Sequence, residues 1–232
     1  MIQNYQDFLE ELLRAGFSMG GGSDDGIYAI VNHNWNNEPA ESPIRWHTGD
    51  PETDPWEWRM RVLHERDDIA YAKLFFKKSG FLTKKWYPYF LAARRGGMSF
   101  GQAYDGGKIS HGAKRVYDEL AAVPMLPTHE MRQLAGFGAK EDKGVFDRSL
   151  AELQMGMFIT MCGKAYKSAK IADNNNAWAS TVFCTTEKFF GEEIFEEASK
   201  IGKEDAIDAI KAQILSLNPV AQDKKIMKFI LG

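Results

Sequence analysis

The stretch SHGAKRVYDELAAVPMLPTHEMRQLAGFGAKEDKGVFDRSLAELQMGMFITMCGKAY, Ser110–Tyr166, decides the fold. Ser110 carries the short oxygen-bearing side chain of a helix N-cap. Val116, Tyr117, Leu120 and Ala121 recur on one helical face, so a helix is expected from Ser110 to Val123. Pro124 and Pro127 break it. Thr128 is expected to cap a short helix, His129 to Ala135, with Met131 and Leu134 inward. Gly136-Phe137-Gly138 then makes a turn. Phe146, Leu150 and Leu153 have the spacing of a buried stripe on a third helix, from about Asp142 to Gln154. Met157 to Tyr166 alternates loosely, as a strand does. Asp173-Asn174-Asn175-Asn176 is a turn cluster, and Trp178 to Thr186 suits a second strand. The order helix, helix, turn, helix, strand, turn, strand is that of a winged helix-turn-helix over residues 107–190.

Working outward, Phe8, Leu9, Leu12 and Leu13 share one face of a helix from Tyr5 to Ala15, and Gly16 stops it. Ile27 to Val31 reads as a strand, and Asn32 to Pro55 as a long irregular segment. A helix is expected from Asp67 or Asp68 to Lys78, ended by Gly80. Pro88 sits too deep for a helix starting at Thr83, which moves the expected start to Tyr87; that helix runs to Arg95 and breaks at Gly96-Gly97. Beyond the winged helix, helices are expected near Glu192–Ser199 and over Lys203–Leu217, with Pro219 ending the latter. The fold class is therefore α+β, mostly α: a winged helix-turn-helix with additional packed helices. Residues 1–58 form an acidic helix and irregular segment, 59–106 a basic aromatic helical segment, 107–190 the winged helix and 191–232 the C-terminal helices, all in one compact unit.

The chain has 232 residues and a net charge of -3, but the charge is unevenly spread. Residues 1–58 hold two Lys/Arg and eleven Asp/Glu, whereas residues 59–115 hold thirteen and four. A segment this basic inside an acidic chain suggests a polyanionic partner, or else an internal dipole in which the acidic leader packs on it. No apolar run approaches the roughly eighteen residues of a membrane span, and the N-terminus lacks a signal-peptide layout. The two cysteines, Cys162 and Cys184, lie in apolar strand-like runs. They are expected as buried free thiols, which fits a reducing cytoplasm.

Two stretches resemble the AlkZ/YcaQ-like family of winged-helix DNA glycosylases. One is Ala70 to Pro88, AYAKLFFKKSGFLTKKWYP, which is similar to an aromatic-rich segment leading to a Trp-Pro pair; here Tyr87 separates Trp86 from Pro88. The other is Pro124 to Phe158, with Met125-Leu126-Pro127-Thr128 at a helix start and a Leu-rich third helix. The resemblance implies excision of alkylated or crosslinked bases without a metal or cofactor, by a triplet of Gln, an apolar residue, then Gln or Asp. None of the glutamines at 3, 6, 102, 133, 154, 213 and 222 begins such a triplet. The expectation is therefore a DNA-binding relative with duplex DNA as partner, no cofactor and no membrane. The alternatives are a divergent glycosylase and a protein-interaction module without DNA binding.

Candidate DNA-contacting residues follow from position. Arg148 lies opposite the buried stripe of the third helix, with Gly144 and Ala151 beside it and Lys140 at the margin; Arg148 can pair bidentately with guanine or a phosphate. Glu141, Asp147 and Glu152 lie on or near the same face and would repel phosphate. Lys164, Lys167 and Lys170 would let the wing track phosphates, or simply protect a strand edge. Lys77, Lys78, Lys84, Lys85, Arg94 and Arg95 sit among Phe75, Phe76, Trp86, Tyr87, Tyr89 and Phe90, a mixture that suits backbone contact with base stacking, or a core capped by lysine stems. For catalysis the polar-aromatic cluster Trp56, Glu57, Trp58, His64 and Glu65 supplies the candidates Glu57, His64 and Glu65. His33, His47 and His64 with Asp50 and Asp54 lack metal-ligand spacing, so no metal is expected.

Overall fold

Asn4 starts the first helix, α1 (Tyr5–Ala15), by accepting the Asp7 N–H on its side chain at 3.0 Å. Gly16, at φ 91°, ends it and leads into β1 (Phe17–Met19). The computed structural model describes residues 2–21, 27–32, 39–166 and 179–232. Ile27 to Val31 is not a strand: Met19 N–H donates to Tyr28 O at 3.1 Å and Ile30 N–H to Ser18 Oγ at 3.0 Å, but no ladder forms. Buried Asp54 caps α2 (Pro55–Glu65), which the sequence reading leaves unassigned. Its carboxylate accepts N–H groups from Trp56 at 2.8 Å, His47 at 3.1 Å and Gly49 at 2.9 Å, and Pro55 occupies the first helical turn.

The helix expected over 67–78 is instead a hairpin, β2 (Ile69–Phe75) and β3 (Lys78–Thr83), paired Ala70 to Leu82 and Phe75 to Lys78. The 59–106 segment is thus only partly helical. Strand β2 is buried on both faces, so its sequence shows no alternation and resembles a buried helix. Its turn residues are Phe76 and Lys77, not the usual Asn-Gly. Gly80 stops no helix; a Cβ there would lie 2.5 Å from Phe75 Cδ2 and 2.7 Å from Ser18 O, where β1 closes on the hairpin.

The remaining elements are α3 (Tyr87–Arg95), α4 (Phe100–Asp105), α5 (His111–Ala121), β4 (Leu126–Pro127), α6 (Thr128–Leu134), α7 (Lys143–Met155), β5 (Ile159–Tyr166), β6 (Ala179–Thr185), α8 (Thr186–Phe190), α9 (Glu193–Ser199), α10 (Lys203–Leu217) and α11 (Asp223–Leu231). Helices α3 and α10 have the expected bounds. Ser110 caps α5 through Ala113 N–H at 3.2 Å. Lys188 closes its other end, with Nζ donating to Leu120 O at 3.1 Å, Ala121 O at 2.8 Å and Val123 O. Thr128 lies inside α6 instead of capping it; its hydroxyl donates to Thr181 O at 2.7 Å and ties the helix to β6. Leu134, expected inward, is exposed. The turn cluster Asp173–Asn176 lies outside the described residues.

The fold is α+β and rich in helix. The described strands form one antiparallel sheet in the order β1-β3-β2-β5-β6-β4. The two hairpins join where Tyr71 pairs with Met161. Alternate residues of β2 face opposite sides. Ile69 and Tyr71 join a core with α1, α2 and α5–α7, while Ala70, Ala72 and Leu74 join a second core with α3 and α9–α11. Phe75 and Phe229 stack in the second core with centroids 3.9 Å apart. Full burial of each such ring contributes about 2–3 kcal/mol.

Candidate nucleic-acid interface

Helix α7 is oriented by what it buries. Phe146, Leu150 and Leu153 face the first core, as their spacing predicts. Opposite them Arg148 is exposed, with Gly144 exposed and Ala151 half-buried beside it. Lys140 and Lys143 are also exposed, as are Glu141 and Asp147. Glu152 is engaged with the cap of α5: its carboxylate accepts Ser110 N–H at 2.7 Å and the Ser110 hydroxyl at 2.6 Å.

Beside this face lies a groove of about 480 Å³ lined by cationic residues from three segments: Arg148 from α7, Lys77 from the β2–β3 turn, and Lys108, whose Nζ also lies 3.4 Å from Met98 Sδ, from the loop before α5. Ile109, Met155 and Leu231 form apolar walls, and Glu152 is the acidic side chain on the rim. Phe76 and Lys77 have φ of 52° and 61°, the left-handed values of a two-residue hairpin turn. Side chains other than Gly, Asn and Asp are strained there. The Phe76 ring, 6.0 Å from Phe229 and 5.7 Å from Lys228 Nζ, fastens the turn to α11 and holds Lys77 over the groove. Lys108 escaped the sequence reading. Its only signal was its place two residues before the Ser110 cap, beside Gly106-Gly107.

Several expected DNA contacts are engaged elsewhere. Arg94 forms the floor of the groove, but its nitrogens donate to Ile230 O at 2.6 Å, Met155 O at 3.0 Å and Phe229 O at 2.8 Å. Loss of water pushes its pKa down to about 10, so it stays cationic at neutral pH while joining the ends of α7 and α11. Arg95 is 7% exposed and turns the other way. Its guanidinium lies 4.4 Å from the Phe158 ring and 5.0 Å from the Phe195 ring, with Nε donating to Met98 O at 3.1 Å. Burial lowers its pKa too. Lys84 pairs with Glu193 at 2.9 Å. Arg94 and Arg95, both expected as DNA contacts, are thus engaged within the fold, Arg94 half-buried in the groove and Arg95 buried. Lys78 and Lys85 are exposed on the hairpin and on the segment that follows it.

Lys164 is exposed on β5 and borders a different cavity, of about 390 Å³, with Met60, His64, Met125 and Cys162. Lys167 and Lys170 lie outside the described residues. Cys162 is half-buried and Cys184 buried; both are free. The hydrogen bond with the Cys162 thiol, and then burial, raise the Cys184 pKa.

The catalytic candidates do not converge. Glu57, His64 and Glu65 all lie on α2, and Glu57 and His64 are two turns, about 10 Å, apart along it. Glu65 accepts from Arg61 at 2.8 Å, which holds its carboxyl below the usual range. Trp58 is wholly buried and stacks on Phe8 at 4.8 Å, while Trp56 is exposed beneath Arg59 at 3.4 Å. His33 lies outside the described residues. No group of three or more His, Cys, Asp or Glu side chains that could hold a metal occurs among the described residues. No described helix is long and apolar enough to cross a membrane.

No curated protein and no solved structure matches the chain. The family model described as AlkZ related matches residues 2–231, nearly its whole length, and takes in both the hairpin segment and α7. The chain belongs to the AlkZ-related family.

Proposed function

We propose that this chain binds duplex DNA through the backbone phosphates, in keeping with a DNA-repair-associated family. The part from α5 to β6 would act as a winged helix. The order α5, β4, α6, α7, β5, β6 supports that reading, as does the pairing of β6 with both β4 and β5. The observation that carries the proposal is the convergence of Lys77, Lys108 and Arg148, from three separate segments, on one groove beside α7. Exposed Glu141 and Asp147 disfavour deep entry of α7 into a major groove. The expected contact is therefore phosphate tracking, which positions a duplex without reading its sequence. The reading includes no base-release step, because Glu57 and His64 stand two turns apart on α2, Glu65 is engaged by Arg61, and no Gln begins the family triplet.

Fluorescence anisotropy of a labelled duplex across a salt series tests this. Three phosphate contacts give a slope of log K against log salt of about -2.7, and contacts by Lys164, Lys167 and Lys170 would take it to about -5. The triple variant Lys77→Ala, Lys108→Ala, Arg148→Ala is expected to make the slope shallower by about 2.7. Absence of binding at low ionic strength, or an unchanged slope in the variant, overturns the proposal.

A further inference from the structure

Arg94 and Arg95 are consecutive yet face different cavities, and the second cavity has no part in the groove just described. It lies between the end of α3, the 97–99 loop and helices α8 and α9, and encloses about 240 Å³. This is below the ~300–1,000 Å³ of drug-sized ligand sites, so only a small group fits. Leu91, Met98, Phe195 and Ala198 supply apolar walls, and Arg95 and Glu187 the central polar groups.

The pair of polar groups is incompletely used. Glu187 Oε1 stands 3.9 Å from Arg95 Nη1, too far for a hydrogen bond, and Glu187 Oε2 is shielded from solvent with no hydrogen-bond partner among the described residues. Arg95 donates through Nε to Met98 O and, at 3.4 Å, through Nη1 to Met157 O. Nη2 makes no hydrogen bond among the described residues. A desolvated carboxylate oxygen without a donor is costly, and native proteins rarely leave one unmatched.

We propose that this cavity is a binding site for a small, neutral, planar group that carries an N–H donor beside a carbonyl acceptor, such as a carboxamide or a lactam. The N–H donates to Glu187 Oε2, the carbonyl accepts from the Arg95 guanidinium, and the flat face lies against Phe195. Neutrality follows from the donor and acceptor set: a free carboxylate meets Glu187 and Glu192, and a cationic group carries no acceptor for the Arg95 guanidinium. This site is independent of the DNA-binding reading.

The test is 1H–15N correlation spectroscopy of the full chain titrated with 2-pyridone, with benzoate and benzamidine as charged controls, all at millimolar concentration. 2-Pyridone is expected to shift the amides of residues 97–99 and 187–199 saturably, and both controls to bind about tenfold more weakly or less. Glu187→Ala is expected to weaken 2-pyridone about tenfold or more while the rest of the spectrum stays that of the folded protein. Phe195→Leu, which leaves both polar groups in place, is expected to weaken it by a smaller factor. No saturable shift, shifts confined to other regions, undiminished binding by Glu187→Ala, or tighter binding of benzoate or benzamidine than of 2-pyridone each overturns the proposal.

Discussion

Gln154 joins α7 to the sheet: its Oε1 accepts the Lys73 N–H at 3.0 Å while its Nε2 donates to Leu150 O at 2.9 Å. The side chain is almost wholly buried, so no water can replace it. Gln154→Leu keeps the volume but leaves the Lys73 N–H without a partner. Destabilisation by about 1–3 kcal/mol is expected, read as a lower urea midpoint with an unchanged m-value.

The strained turn sets stability against binding. Lys77 holds φ 61° without the freedom of glycine. Lys77→Gly is expected to stabilise the fold by about 0.5–1 kcal/mol, because relief of left-handed strain exceeds the added chain entropy. The same change removes one groove cation, so the salt slope of duplex binding should become shallower by about 0.9. Urea unfolding and anisotropy on the same variant check both halves; a variant that is less stable than the parent contradicts the strain account.

Arg94 should behave as a structural residue despite its position in the groove. Arg94→Met leaves the carbonyls of Met155, Phe229 and Ile230 without their donor, at an expected cost of about 3 kcal/mol. Arg94→Lys should recover only part of this, since a single ammonium cannot copy a fork of donors. If Arg94→Met instead makes the salt slope of duplex binding shallower by about 0.9 without lowering Tm, the assignment of Arg94 to the fold is wrong.

Acid stability should depend on the Arg66–Asp68 pair. Arg66 grips Asp68 through Nε to Oδ1 at 2.8 Å and Nη2 to Oδ2 at 2.6 Å, and this holds the carboxyl below its usual value of 3.8. The folded state therefore binds this proton less readily than the unfolded chain. The resulting stability is present above the unfolded pKa and is lost as pH falls through the folded one. Both side chains are about a third exposed, so the effect should stay below about 1 kcal/mol. Asp68→Asn is expected to be slightly less stable at pH 7 and to lose less stability than the parent between about pH 5 and pH 2. Parallel pH curves for the two proteins would count against the pairing.

The sequence made some of this architecture legible for physical reasons. The ends of α1 and α3 are marked by Gly16 and Gly96, and α7 by a buried stripe on a polar helix. The β2–β3 hairpin was hidden because burial on both faces erases the alternation that marks a strand, and because its turn lacks glycine. The groove was half visible. Lys77 and Arg148 are legible as cations, but their meeting depends on pairing between β2 and β5 and on the α7–β2 contact, which are properties of tertiary structure. Adjacent Arg94 and Arg95 look alike in one dimension; only packing separates them.

The single register pair Tyr71–Met161 also limits how the chain can be divided. Residues 107–190, excised alone, would carry β5 with a bare hydrogen-bonding edge where β2 had been, flanked by Met161 and Ile159, which the intact protein buries. Such an edge invites the same strand from another molecule. A truncated fragment should therefore self-associate and precipitate, which makes it an unsafe surrogate for the whole chain in any assay of nucleic-acid affinity.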